Sequence, residues 1–136
     1  MNLLADLLSL RRRQRPRVAV KWRMDVQVSQ TDHYLDFFTR DIGLPGVRLE
    51  GRAPETFRQV LSEKGRANMQ LHVPGHQEAF LVEAELRWGM GQEDKFQTGW
   101  KFTHVPHQVR KVLNGYIEAH PEELIESPGN FKKASN

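Results

Sequence analysis

Cysteine is absent from this 136-residue chain, which excludes disulfides, thiolate zinc sites and cysteine nucleophiles at one stroke. No apolar run approaches the roughly 20 residues that a bilayer-spanning helix needs. The opening Met1 to Leu10 is rich in leucine, but its positive charges follow the apolar stretch, the reverse of a secretory signal, so the segment is expected to stay on the protein. A reducing cytoplasm is the simplest home. Internal repeats, low-complexity tracts and a dividing linker are also missing, which leaves one domain with a modest core. Ser9, Ser29, Ser62 and the carboxylates form no spacing that suggests a nucleophile or an acid/base pair. His104 and His107 stand three apart without a third ligand. An enzyme, a metal site and a resident cofactor are therefore not expected.

What is present is an uneven distribution of charge. Residues 1–30 hold seven Lys/Arg against Asp6 and Asp25, a surplus of five, while the remainder carries 13 Lys/Arg against 15 acids, a deficit of two. Five of the seven, Arg11, Arg12, Arg13, Arg15 and Arg17, fall within seven residues. Guanidinium forks grip phosphate oxygens bidentately and stack on purine faces. A local patch on a mildly acidic body indicates a focused site for an anionic, base-bearing ligand, where a uniformly basic chain would indicate a nucleic-acid coat. A polymer-binding barrel is further disfavoured because no ladder of aromatics accompanies the arginines.

Period-two alternation dominates the middle of the chain. Val18, Val20, Trp22, Met24, Val26 and Val28 predict one half-buried strand, as do Phe80 to Trp88 and Phe96 to Phe102. Weaker strands fit Tyr34–Arg40, Val47–Leu49 and Met69–Val73. Turns are expected at Gly43–Gly46, at Pro74–Gly75 and, for the last hairpin, at Gly89–Met90–Gly91. Pro54, Phe57, Val60 and Leu61 predict a short inserted helix over 54–64, ending at Gly65. Pro106 opens a C-terminal helix whose stripe is Val109, Val112, Leu113, Tyr116 and Ile117. Pro121 interrupts it, with a further turn or two expected over 122–126 and fraying beyond. Six one-sided strands must close around their shared apolar face. The predicted fold is mainly β: a small six-stranded antiparallel, split β-barrel over 11–120, closed by the helix, flanked by an N-terminal leucine-rich segment (1–10) and a tail (121–136). Trp22 and Trp100 are assigned to the core.

Asp41-Ile42-Gly43-Leu44-Pro45-Gly46 is the second notable feature. Its carboxylate sits at a strand end, where it can accept from a guanine edge or orient an arginine. Gly43 and Gly46 permit positive φ and close approach of a ligand to the backbone. Arg13 and Arg17 in RxxxR spacing, preceded by Arg12, together with this DxGxxG turn, the strand ending Leu86-Arg87-Trp88 and the strand Gly99-Trp100-Lys101-Phe102 before a helix, resemble the PilZ family over residues 11–119. The family pattern is RxxxR followed by [D/N]xSxxG on a six-stranded barrel, and its members are bacterial receptors for cyclic di-GMP.

The resemblance implies a cyclic di-GMP receptor in which Arg13 and Arg17 clasp guanine and phosphate, Asp41 reads a guanine edge, Gly46 keeps the turn open and Arg12 meets a second stacked ligand molecule. Trp88 has two readings, a core residue or an aromatic platform for a purine. Gly43 replaces the family serine. Loss of one neutral hydrogen bond, worth about 0.5–1.5 kcal/mol, weakens binding, and restoring serine is expected to tighten it. Ligand is expected to order the arginine loop, move Leu3, Leu4, Leu7 and Leu8, and change a contact with a partner protein. The family makes control of motility or biofilm formation plausible. The alternative is a ligand-independent adaptor of the same shape, acting only through protein contacts.

Overall fold

Alternating burial is the rule that builds this molecule. The computed structural model describes residues 16–27, 34–52, 65–92 and 95–125. The leucine-rich segment, Arg12 and Arg13, the helix expected over 54–64 and the frayed end expected beyond Glu126 lie outside the described residues. Eight strands are described: β1 (Arg17–Val18), β2 (Arg23–Gln27), β3 (Tyr34–Gly43), β4 (Gly46–Arg52), β5 (Arg66–Leu71), β6 (Phe80–Gln92), β7 (Lys95–His104) and β8 (Leu124–Ile125), with one helix, α1 (His107–Ala119), and a 3-10 turn at Pro121–Glu123. All pairings are antiparallel, in the order β2-β5-β6-β7-β4-β3, and β2 pairs back to β3 to close a six-stranded barrel. Closure removes sheet edges that would otherwise invite pairing with another chain.

Inside lie Val18, Trp22, Met24, Val26, Phe37, Ile42, Val47, Leu49, Met69, Leu71, Val82, Phe96 and Trp100, all buried. Trp100 donates its indole N–H to Thr98 Oγ1 at 2.7 Å, which satisfies the one polar atom that it carries inward. Both Trp22 and Trp100 are core residues, as expected. The helix α1 buries Val109, Leu113 and Ile117 against this core, the same stripe the spacing predicts.

Three local readings change. The run expected over Val18 to Val28 is, as far as Gln27 where the described residues end, two strands separated at 19–22, although burial alternates from Val18 to Met24. Thr39 causes the break: its hydroxyl donates to the Val20 carbonyl and accepts from the Trp22 N–H (2.9 Å), so a side chain stands where ladder bonds would run. Periodicity reports which face a residue takes and says nothing about which strand is its neighbour. Gly89–Met90–Gly91 is not a turn, because β6 continues to Gln92 in register with β7. Gly89 is instead a place where the Phe96 ring packs on bare backbone, with a Cβ there only 3.3 Å from the ring. Finally, the chain after Pro121 makes a single 3-10 turn and then a strand, β8, which pairs with β1.

That C-terminal return is fastened from within. Tyr116 meets Trp22 edge-on at 4.8 Å and stacks on His120 at 3.9 Å, and its hydroxyl donates to the Glu123 carboxylate. Burial, then that bond to an anion, pushes the Tyr116 phenol up to about 12. Ala19 N–H donates to the Glu123 carbonyl at 2.9 Å, joining the turn to the chain just after β1.

On the opposite part of the wall, buried Asp25 accepts from Arg23 Nε (2.9 Å) and lies 3.0 Å from His72 Nε2. Burial alone pushes the Asp25 carboxyl up, but the bonds and charges of Arg23 and His72 outweigh it and hold it below its ordinary 3.8. A depressed carboxyl stabilises the fold above the unfolded-state value and loses that contribution as pH falls through the folded one. Arg23→Ala lets the folded value climb, so its acid unfolding, followed by circular dichroism, is expected to begin at a higher pH than the wild type. Coincident acid transitions would show that this cluster contributes nothing to stability.

Candidate functional site

Asp41 and Arg17 are 24 positions apart in the chain, and the sheet brings them into contact. β1 docks on the second half of β3, with Arg17 opposite Gly43 and Val18 opposite Ile42. Two residues along, on the same outward face, is Asp41. A β-bulge in β3 between Thr39 and Asp41 sets this orientation. Thr39 and Ile42 point into the barrel, whereas Arg40 and Asp41 both leave the ladder toward the outside, as the extra residue of a bulge allows.

The Asp41 side chain is only 1 % exposed, yet it lies on the outer wall. Two arginines bury it. Arg17 donates Nε to Oδ1 at 2.7 Å and adds its Nη2 to the same oxygen. Arg48, directly opposite Asp41 on β4, donates Nε and pairs through Nη2 with Oδ2. Each carboxylate oxygen therefore has its own guanidinium. Arg17 is itself 20 % exposed and Arg48 is 47 % exposed, so the pair of cations closes over the acid and presents charge to solvent.

Sequence reasoning did not select Arg48. Its signal was available: in the alternation of β4, Val47 and Leu49 point inward, so Arg48 is fixed on the outer face beside the turn that carries Asp41.

Gly43 and Gly46 matter for a reason other than the one expected. Among the described glycines only Gly65 and Gly75 have positive φ. What both turn glycines supply is clearance. A Cβ on Gly43 would stand 2.5 Å from the Pro16 carbonyl oxygen, and one on Gly46 would stand 2.1 Å from that of Trp100. The absence of the family serine at position 43 thus coincides with tight docking of β1. A serine placed there must displace the Pro16 backbone, which overturns the expectation that restoring it simply adds a hydrogen bond.

Trp88 is 41 % exposed on the outer wall and is not a core residue. It sits in one cross-strand row with the acid: Asp41 pairs with Arg48, Arg48 with Gly99, and Gly99 with Trp88. The indole folds back over β7, because a Cβ on Gly99 would meet Trp88 Nε1 at 2.1 Å. With strands spaced at about 4.8 Å, the ring comes one strand closer to Arg48 than its backbone does. The result is an arginine pair over a buried acid with a flat aromatic face on the same row, beside a turn whose Gly43 and Gly46 are covered by neighbouring backbone. This surface suits a ligand with both phosphate and aromatic base.

Of the residues selected from sequence, Arg17, Asp41, Gly43, Gly46 and Trp88 share this outer wall. Arg12 and Arg13 lie just upstream of Pro16, outside the described residues. Among the described residues no cluster of three His, Asp or Glu is arranged to hold a metal ion, and no helix is long and apolar enough to cross a membrane.

No curated protein matches the chain. Solved structures do. The PilZ domain of YcgR from Escherichia coli, solved with c-di-GMP, is 16% identical with a TM-score of 0.58, over 78% of this chain and 92% of that one. The inhibitor of motility MotI/DgrA from Bacillus subtilis is 12% identical with a TM-score of 0.60, over 79% of this chain and 50% of that one. MrkH, described as a c-di-GMP-dependent transcription regulatory factor, is 13% identical with a TM-score of 0.61, over 80% of this chain and 51% of that one. The chain spans about half the length of MotI and of MrkH, and at these identities the likeness is one of fold. The PilZ domain model matches residues 11–119, and the chain belongs to the PilZ domain family.

Proposed function

We propose that this chain is a cyclic di-GMP receptor whose ligand seats on the Arg17–Asp41–Arg48 clamp. The observation that carries the reading is the buried Asp41 with a separate arginine on each oxygen, at the motif position where the resemblance puts a guanine-reading acid. A ligand that draws Arg17 toward phosphate takes one partner from a carboxylate that has almost no solvent. Arg48 keeps that carboxylate compensated, because an uncompensated buried charge is among the costlier defects a fold can carry. Arg17 then acts as a hinge-side anchor, and the residues to be ordered are those upstream of Pro16, where Arg12 and Arg13 supply the remaining cations. The crossing of charge from a repelling cluster to a neutralised one favours that ordering. Its output is a changed contact with a partner protein, in a control step over motility or surface attachment. The domain performs no catalysis in this reading, and its place is the cytoplasm.

A ligand-blind adaptor has one observation in its favour, the tight fit of Pro16 against Gly43. Titration calorimetry separates the two, because an adaptor gives no saturable heat with the dinucleotide.

Arg17→Ala and Asp41→Ala are each expected to weaken cyclic di-GMP binding at least tenfold by calorimetry, and full affinity in both variants would remove the clamp from the mechanism. Gly99→Ala evicts the Trp88 indole from its seat and is expected to lower affinity and shift tryptophan emission on ligand addition; a variant that binds normally would return Trp88 to a bystander. In urea unfolding without ligand, Arg17→Ala and Arg48→Ala are expected to be mild singly and worse than additive together, with a coupling of roughly 1 kcal/mol or more. Strict additivity would show that the two arginines do not share the acid.

A further inference from the structure

β6 outruns its partner on one side. β7 accompanies it from Glu83 to Gln92, but pairing with β5 stops at Glu85, followed by one last bond from the Leu86 N–H to the Gly65 carbonyl at 2.6 Å. Beyond that point no strand among the described residues pairs with this edge, and a β-bulge between Leu86 and Trp88 bends the strand there. Burial changes at the same place. Phe80, Val82 and Ala84 are buried in alternation, whereas Arg87, Trp88, Gly89, Met90 and Gly91 are exposed one after another. At 63 % exposure, Met90 is the most exposed large hydrophobic side chain among those described.

An unpaired strand turns every second N–H and C=O toward solvent and offers them to another strand. Proteins commonly block such edges with lysine, proline or unpaired charge. The stretch from Arg87 to Gly91 holds no lysine and no proline, and its one charge, Arg87, is tied to Glu85 at 3.0 Å. Gly89 and Gly91 leave one of its faces without side chains, so its apolar surface stands on the other, with Trp88 and Met90.

We infer that this edge is a homodimer seam, at which a second copy of the chain adds its own β6 antiparallel to the first. The stretch is self-complementary, as a two-fold contact requires. An axis at Gly89 sets each Trp88 opposite the other copy's Met90 and each Arg87 opposite Gly91, so an aromatic ring meets a thioether twice and no like charges face one another. The indole leans toward Gly99, away from the seam, which leaves its near side open to that methionine. An unrelated strand would have to bring matching apolar residues at alternate positions; this one already carries them. A seam so short is smaller than a standard interface, and the dimer is therefore expected to be weak and to form with concentration. The inference does not rest on cyclic di-GMP binding at the clamp.

The test is sedimentation velocity of the full chain over a concentration series, with a monomer–dimer equilibrium as the expected result. Met90→Lys sets an ammonium from each copy beside the seam; this variant should stay monomeric where the wild type dimerises, with its melting temperature in dilute solution unchanged. Met90→Leu should dimerise as the wild type does. Because the chain has no cysteine, Met90→Cys supplies a single thiol, and a short bis-maleimide should join two such chains. Leu81→Cys, on the half of β6 that β5 covers and similarly exposed, should stay uncoupled. A wild type that is monomeric throughout would overturn the inference and leave the edge to a strand of another protein. A dimer that survives Met90→Lys, or that couples better through Leu81→Cys, would overturn it as well.

Discussion

A buried carboxylate on an outer wall is an arrangement that must be compensated continuously, and Asp41 is the point at which this protein does so. Water would normally solvate such a group. Here two guanidiniums replace the water, one from a strand at the N-terminal side of the barrel and one from the strand directly opposite. The bulge at Arg40, the clearance at Gly43 and the two-residue strand that carries Arg17 all serve that geometry. Remove the acid and β1 loses its only side-chain ionic tie to β3 among those described. Remove both bases and the acid is stranded.

Compensation by two partners has a functional meaning that compensation by one would not. A single arginine locked on a buried acid cannot leave without a cost of several kcal/mol. With a second arginine in place, the first is held firmly yet remains available to a competing anion. In the receptor reading proposed above, this is how one residue belongs both to the resting structure and to the bound one.

Much of the architecture was legible from period-two patterning, because inward positions such as Met24, Ala84 and Phe96 are apolar and their neighbours are polar or charged. The helix stripe Val109, Leu113 and Ile117 was equally plain. Pairing was not legible. Nothing local to Val18–Val28 announces that Thr39, a distant residue, will interrupt the ladder with its hydroxyl. A Gly-Met-Gly triplet carries turn chemistry, and only the Phe96 ring across the hairpin explains why it stays extended. Leu124–Ile125, two residues long, offers no periodicity at all. At the site, residue chemistry identified Arg17 and Asp41, whereas Arg48 required knowing that its neighbours face inward. The role of Gly43 depended on a backbone contact 27 residues away, which no pattern encodes.

The strand bearing Arg17 has a neighbour on each side: β3 toward the barrel and β8, which arrives from beyond the helix, toward the outside. The first and the last described strands therefore lie side by side at the cationic patch. An affinity handle, a neighbouring module or a fluorescent reporter fused directly to Ile125 begins one strand's width from the residue that pairs with Asp41. Trimming the chain back to the helix would strip that outer neighbour away, so fusion design at the carboxyl end is also design of the pocket's wall.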